Sequence, residues 1–160
     1  MSDIAISFEL NGEKRRAAVA PNLLLVDYLR DHEQLKGAKI GCSRGVCGSC
    51  TVLVDGTPVA ACSKFAFQID QASVITVEGL AQGDRLDPVQ QAFIDHAAFQ
   101  CGYCTSGMIL LTKALLSQHA NPDRATIIEW LSSNVCRCTG YSQIIAAVED
   151  AAQRQRQVVP

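Results

Sequence analysis

Eight cysteines dominate the chemistry available to this 160-residue sequence, and they fall into two groups of four, one in each half. Thiolates bind zinc and iron–sulfur clusters, and four of them complete either kind of site. The three histidines lie away from the cysteine pairs and are expected at the surface, so mixed Cys/His sites are not predicted. The sequence therefore predicts two all-cysteine metal centres, one using Cys42, Cys47, Cys50 and Cys62 and the other using Cys101, Cys104, Cys136 and Cys138.

The first cysteine group has the spacing C-x4-C-x2-C-x11-C, which begins like the loop of plant-type [2Fe–2S] ferredoxins. Three sulfurs from one loop must converge on a compact diiron core, so the loop has to turn sharply. Gly41, Gly45 and Gly48 allow such turns and a close approach of the backbone to sulfur. Cys62 ends a predicted hairpin and is well placed as the fourth ligand. Zinc is the main rival, although zinc sites usually show paired C-x2–4-C knuckles.

The second cysteine group has the spacing C-x2-C-x31-C-x-C, which is less specific. Both of its pairs fall between predicted helices, so two interhelical turns can present four thiolates to one point. Taken alone, this spacing suits a zinc site as well as it suits an iron–sulfur cluster.

Composition and charge exclude other classes of function. Apolar residues make up 48% and charged residues 19%, which is close to the globular average and argues against disorder. Residues 1–80 carry eight Lys/Arg against nine Asp/Glu, and residues 81–160 carry six against seven. Since no part of the chain is strongly basic, we expect protein partners and no nucleic acid.

The sequence also bears on location. It contains no apolar run near the roughly 20 residues of a membrane span, and its acidic N-terminus lacks a signal-peptide pattern. We therefore expect a cytoplasmic protein. In a reducing compartment, eight cysteines are more often metal ligands than disulfides.

The first half shows the two-residue period of strands. Residues 4–10 alternate apolar and polar side chains, and Asn11-Gly12 predicts a hairpin with a return strand through Val19. A short helix is predicted over about residues 22–32. A second hairpin follows over 51–62, and residues 74–77 resemble a last strand. This pattern predicts a small α+β domain over residues 1–78, followed by a linker over 79–85.

The second half changes to the helical period of 3.6 residues. Asp87-Pro88 predicts the start of one helix, and residues 106–118 predict a second that is strongly buried. Asn121-Pro122 is interpreted as the start of a third helix, and Ser142 as the cap of a fourth. Four short amphipathic helices predict a bundle over residues 86–160.

Taken together, the two cysteine spacings, their order and the chain length resemble the iron–sulfur subunit of molybdenum hydroxylases of the xanthine oxidase type. The resemblance covers nearly the whole chain. It implies a fold, an N-terminal β-grasp ferredoxin-like [2Fe–2S] domain followed by a C-terminal four-helix-bundle [2Fe–2S] domain, with all eight cysteines as ligands. It is carried by the stretches KIGC (39–42), VCGSCTVLVDG (46–56), ITVEGL (75–80), PVQQAF (88–93), QCGYCT (100–105) and CRCTGY (136–141).

The resemblance also implies a function. Electrons would pass from a molybdenum–pterin site, with molybdopterin cytosine dinucleotide on a large subunit, through the two clusters to FAD on a medium subunit. Such complexes can form a dimer of heterotrimers. Gln100 and Cys138 would touch the pterin, and the catalytic centre would lie on another chain, so no catalytic residue is predicted in this one.

Some positions depart from the family pattern, and two other interpretations are open. Ser49 stands where alanine is usual, and Ser106 where proline is common, but neither change removes a ligand. A free-standing ferredoxin-like carrier is the first alternative, although it would need only the first domain. Zinc in both four-cysteine sites is the second.

Overall fold

The computed structural model describes residues 2–158 and consists of a mixed sheet followed by a set of helices. The predicted α+β class is confirmed. The strands are β1 (Ile4–Leu10), β2 (Glu13–Val19), β3 (Thr51–Val54), β4 (Thr57–Ala60) and β5 (Ser73–Ile75). The helices are α1 (Leu25–Asp27), α2 (Pro88–Asp95), α3 (Thr105–Gln118), α4 (Arg124–Leu131) and α5 (Ser142–Val158).

The sheet has the order β2-β1-β5-β3-β4, so the last strand of the first half lies at its centre. Two antiparallel hairpins, β1–β2 and β3–β4, flank β5, which runs parallel to β1 and antiparallel to β3. The first hairpin turns at Asn11 and Gly12, whose positive φ angles of 52° and 84° suit this residue pair. The sheet thereby carries the cysteine loop of residues 41–50, which leads directly into β3.

The short helix of the first half begins later than predicted. Leu24 is extended and forms an isolated bridge with Phe65, and the Leu25 N–H donates to the Lys64 carbonyl at 2.8 Å. Because this backbone pairs with a distant segment, the helix starts only at Leu25. It then continues as a π-helix over Tyr28–His32.

The helices of the second half follow the predicted pattern with two corrections. The cap of α4 is Asp123, not Asn121, since the Asp123 carboxylate accepts the Thr126 N–H at 2.8 Å. The last helix includes Ser142 as its first residue. The predicted cap of α2 is confirmed, because the Asp87 carboxylate accepts the Val89 N–H at 2.9 Å and Pro88 opens the helix.

Two hydrophobic cores are joined by a smaller cluster. One core lies between the sheet and α1, and the other among α2 to α5. Leu53 on β3 packs against Leu110 and Ala114 on α3, which fastens the helices to the sheet. This packing sets the position of the first cysteine loop relative to the interhelical turns. Within residues 2–158, no helix has the length and apolar character to cross a membrane.

Candidate metal centres

The cysteine sulfurs form two separate groups of four, and within each group they interact in pairs. Within the described residues 2–158, no three His, Cys, Asp or Glu side chains surround a point suited to a single metal ion. Instead, the thiols of each group interact in two pairs, none of them joined by a disulfide. The pairs are Cys42 with Cys47, Cys50 with Cys62, Cys101 with Cys138, and Cys104 with Cys136.

This pairing fits a diiron centre. A [2Fe–2S] cluster takes two thiolates on each iron. With metal–sulfur bonds of about 2.3 Å and tetrahedral geometry, two thiolates on one metal lie about 3.8 Å apart. The sulfurs of Cys101 and Cys138 are 3.7 Å apart. The separation of this pair therefore suits two thiolates on one iron.

Backbone N–H groups surround the sulfurs of the first group. The Cys42 sulfur accepts from the N–H groups of Arg44, Val46 and Cys47, each at 3.4 Å. These donors lower the pKa of the Cys42 thiol to about 6. The Gly45 N–H donates to the Cys62 sulfur at 3.3 Å. Such donors stabilise the thiolate form, which is the form that binds metal.

Glycines allow this loop to wrap around sulfur. Gly45 and Gly48 have φ angles of 69° and 71°, in the left-handed region that favours glycine. Gly41 has no such angle, but a Cβ at this position would lie 2.9 Å from the Cys47 sulfur. The predicted requirement for glycine is therefore confirmed, for two different physical reasons.

The thiols within each group differ in their solvent exposure. Cys50, Cys62 and Cys104 are buried, whereas Cys101 and Cys138 are exposed. Burial raises the pKa of both Cys50 and Cys104 to about 12. Thiols with a pKa this high are protonated at neutral pH, and they would release their protons on binding a metal.

The second group is presented by two turns, as predicted. Cys101 and Cys104 precede α3, and Cys104 is its N-terminal cap residue. Cys136 and Cys138 lie between α4 and α5. The two turns are joined by Gln100, whose side-chain amide donates to the Cys138 carbonyl at 3.2 Å. The structure thus brings both predicted pterin-contact residues, Gln100 and Cys138, to one exposed edge of the second group.

Three residues beside the second group were missed by the sequence reasoning. The Thr139 hydroxyl lies 3.1 Å from the Cys136 sulfur. The Tyr141 hydroxyl accepts the Cys136 N–H at 2.9 Å and donates to the Asn134 carbonyl at 3.0 Å. Burial raises the pKa of the Cys136 thiol, but hydrogen bonds from Thr139, from the Cys138 backbone and from Cys104 together outweigh it and leave this pKa below its usual value. For Thr139 and Tyr141, the sequence did offer a signal, because both are hydroxyl residues within the CRCTGY stretch (136–141).

Comparison with known proteins gives the family. Residues 76–149 match the model of a [2Fe-2S] binding domain, and residues 30–100 match that of a 2Fe-2S iron-sulfur cluster binding domain. The chain is 46% identical over 154 residues to the nicotinate dehydrogenase small FeS subunit of Eubacterium barkeri, covering 96% of this chain and 98% of the relative. The chain belongs to the small iron–sulfur subunits of the molybdenum hydroxylases.

Other members of the family agree with this assignment. The nicotine 6-hydroxylase small subunit of Paenarthrobacter nicotinovorans is 46% identical over 148 residues, covering 92% of this chain and 89% of its own length. The solved structure of quinoline 2-oxidoreductase from Pseudomonas putida 86 contains a chain with a TM-score of 0.94 at 43% identity, covering 99% of each chain. As an iron–sulfur subunit, this chain transfers electrons through [2Fe–2S] clusters, and catalysis takes place on another chain.

The two cysteine groups of the iron–sulfur subunit are connected through the backbone. The Val135 N–H donates to the Cys47 carbonyl at 2.9 Å, so the residue before Cys136 is bonded directly to a cysteine of the first group. The Tyr103 hydroxyl, beside Cys104, donates to the Ile40 carbonyl at 2.8 Å. These hydrogen bonds hold the two centres at a fixed separation.

Ser106, one of the departures from the family pattern, contributes to the same junction. Its hydroxyl donates to the Gly37 carbonyl at 2.5 Å, and the Lys39 ammonium lies 3.4 Å from the same hydroxyl. Proline at this position would offer no hydroxyl. This iron–sulfur subunit therefore uses Ser106 to tie the start of α3 to the segment that leads into the first cysteine loop.

The three histidines of the iron–sulfur subunit contact residues outside the cysteine groups. His32 stacks on Tyr28, and His119 lies edge-on to Trp130. His96 is bonded to Asp150 at 2.9 Å, which links α2 to α5. Their contacts indicate structural roles.

Exposed apolar side chains surround the cysteine loops. Val46 is 67% exposed, although it lies between two cysteines of the first group. Exposed apolar surface beside a functional centre is typical of an interaction site. The other exposed large apolar residues within three positions of a cysteine are Ile40, Phe65, Phe99, Tyr103 and Val135.

Proposed function

We propose that each cysteine group binds one [2Fe–2S] cluster through all four of its thiolates. On this proposal, Cys42, Cys47, Cys50 and Cys62 hold one cluster, and Cys101, Cys104, Cys136 and Cys138 hold the other. The observation that carries the proposal is the division of each group into two pairs of sulfurs, since a diiron cluster takes two thiolates per iron. Each cluster, when bound, accepts and releases one electron at a time.

We further propose the order in which electrons pass. They would enter at the second group, whose Cys101 and Cys138 are exposed, and leave from the first group. The hydrogen bond from Val135 to the Cys47 carbonyl supports transfer between them, because it provides a short path of covalent bonds and one hydrogen bond. The exposed Val46 supports an exit at the first group.

The partners belong to the same proposal. We propose a large subunit that carries a molybdenum–pterin, as molybdopterin cytosine dinucleotide, against Gln100 and Cys138. A medium subunit with FAD would face the first group, in a cytoplasmic complex that can pair as a dimer of heterotrimers. The names of the relatives, which call them small subunits, and the exposed apolar residues around both groups support partners at both ends.

The layout of the chain is proposed as a ferredoxin-like β-grasp domain over residues 1–78, a linker over 79–85 and a four-helix bundle over 86–160. The separate cores of sheet and helices support it. Residues 1, 159 and 160 of these ranges lie outside the described residues. A free-standing carrier is disfavoured, because the packing of Leu53 on Leu110 and the Val135 hydrogen bond tie the first half to the second.

Metal analysis tests the proposal against the zinc alternative. The purified complex should contain about four iron atoms and about four acid-labile sulfides for each copy of this chain, as two diiron clusters require. Iron–sulfur clusters absorb visible light, whereas zinc sites are colourless. Stoichiometric zinc, or about half this iron content in a fully assembled complex, would contradict the two-cluster proposal.

Gln100 provides the test of the pterin contact. Replacing Gln100 with alanine should leave the iron and sulfide content unchanged, because glutamine is not one of the proposed cluster ligands. It should slow cluster reduction by substrate roughly tenfold or more, or loosen the pterin, since contacts around a metal centre typically contribute effects of this size. Stopped-flow absorbance at the cluster bands and the molybdenum content measure the two effects.

The matched control is Gln118→Ala, which removes an exposed glutamine from the C-terminal end of α3, away from the cysteine groups. It should behave as the parent protein does. Parental rates and full pterin content in Gln100→Ala would show that the assigned contact is wrong.

A further inference from the structure

We propose that the Thr139 hydroxyl donates a hydrogen bond to the Cys136 thiolate and thereby raises the reduction potential of the cluster held by the second group. The Thr139 oxygen lies 3.1 Å from the Cys136 sulfur. It is the shortest distance between a hydroxyl and a cysteine sulfur among the described residues, compared with 3.6 Å for Ser49 and 3.8 Å for Ser63. The inference rests on the proposed role of Cys136 as a ligand.

The direction of this hydrogen bond follows from the chemistry of the two groups. A metal-bound cysteine is a thiolate and has no proton to donate, so the hydroxyl must be the donor. The Thr139 oxygen already accepts the Tyr141 N–H at 3.2 Å. This acceptance leaves the hydroxyl hydrogen of Thr139 to point at sulfur.

The surrounding turn holds the hydroxyl in place. The Thr139 N–H points at the same Cys136 sulfur at 3.5 Å. The Tyr141 hydroxyl closes the turn by accepting the Cys136 N–H and donating to the carbonyl of Asn134, which is 2% exposed. The Thr139 hydroxyl is therefore already oriented before the cluster is reduced, so reduction requires no rearrangement of this donor.

The effect on potential follows from charge. Reduction of the cluster places more negative charge on its sulfur ligands, and a fixed donor stabilises this reduced form more than the oxidised form. Hydrogen bonds to the sulfurs are among the factors that set the potentials of iron–sulfur clusters. Backbone donors cannot be removed by a side-chain substitution, but the hydroxyl of Thr139 can.

The test is Thr139→Val in the purified complex, because valine keeps the shape of threonine and lacks the hydroxyl. We expect the one-electron reduction equilibrium of the second cluster to shift about tenfold towards the oxidised form, which corresponds to a potential lower by about 59 mV. Redox titration followed by low-temperature EPR measures both clusters in one sample, so the first cluster serves as an internal reference. Thr139→Ser keeps the hydroxyl and should retain the parental potential.

Each other outcome overturns the proposal. A parental potential in Thr139→Val would show that the hydroxyl does not tune the cluster. An equal shift in Thr139→Ser, which keeps the hydroxyl, would show that loss of the hydroxyl is not the cause of the shift. If Thr139→Val and Thr139→Ala both lose the second cluster while Thr139→Ser keeps it, the hydroxyl serves cluster assembly and not tuning. Failure of the proposed ligand set is seen separately, as missing iron and a missing EPR signal in the parent protein.

Discussion

Replacing Cys47 with serine is expected to abolish the EPR signal of the first cluster and to leave the signal of the second cluster in place. Cys47 shares one proposed iron site with Cys42, and a serine hydroxyl is a poor substitute for a thiolate. The iron content should fall from about four atoms per chain to about two, because the two ligand sets are separate. Low-temperature EPR of the dithionite-reduced complex and iron analysis measure the effect.

The second cluster should survive this change because Cys47 contributes its backbone carbonyl, and not its side chain, to the junction between the two centres. The Cys47 carbonyl, which accepts the Val135 N–H at 2.9 Å, is still present in the serine variant. Cys104→Ser is the reciprocal variant and should remove the second signal while the first remains. Loss of both signals from an assembled, folded Cys47→Ser complex would contradict two independent ligand sets.

Gly107→Ala is expected to have the second large effect. For this substitution, helix propensity and tertiary packing predict changes of opposite sign in the free energy of unfolding. Gly107 lies inside α3, where alanine is intrinsically more stable than glycine by about 1 kcal/mol. A Cβ at this position, however, would overlap the carbonyl oxygen of Gly48 and press on the Asn134 side chain. Overpacking of this kind typically costs about 1–3 kcal/mol, and backbone atoms cannot move aside as a flexible side chain can.

We therefore expect Gly107→Ala to lower the free energy of unfolding and to disturb the first cluster, since Gly48 lies between Cys47 and Cys50. Denaturant unfolding of the complex, followed at the cluster absorbance bands, measures both. Gln118→Ala is the control, because it also introduces alanine into α3 but at an exposed position, where no overlap is expected. Equal or greater stability of Gly107→Ala would show that the contact between α3 and the first loop is looser than described.

Local sequence was sufficient to predict the elements that are stabilised by residues close to them in the chain. The hairpin at Asn11-Gly12 and the α2 start at Asp87-Pro88 were predicted correctly, because their turn and cap depend on residues within a few positions. The two cysteine spacings, taken with their order and the sequence stretches around them, were also sufficient for the resemblance to the [2Fe–2S] family, which the family comparison confirms.

Distant contacts corrected the local signals elsewhere. The helix predicted over 22–32 starts at Leu25, because Leu24 pairs with Phe65, which is far away in sequence. The predicted start of α4 was also wrong, for a local reason: the cap is Asp123, whose carboxylate accepts the Thr126 N–H at 2.8 Å, and not Asn121.

Only the tertiary structure decided how the cysteine thiols are paired. Cys101 faces Cys138 and Cys104 faces Cys136, a choice that depends on how α3, α4 and α5 are oriented. The contact of Thr139 with the Cys136 sulfur, by contrast, forms within one turn. Spacing determines how many thiolates are available and roughly where, but which thiols face each other is set by packing between segments that are distant in the chain.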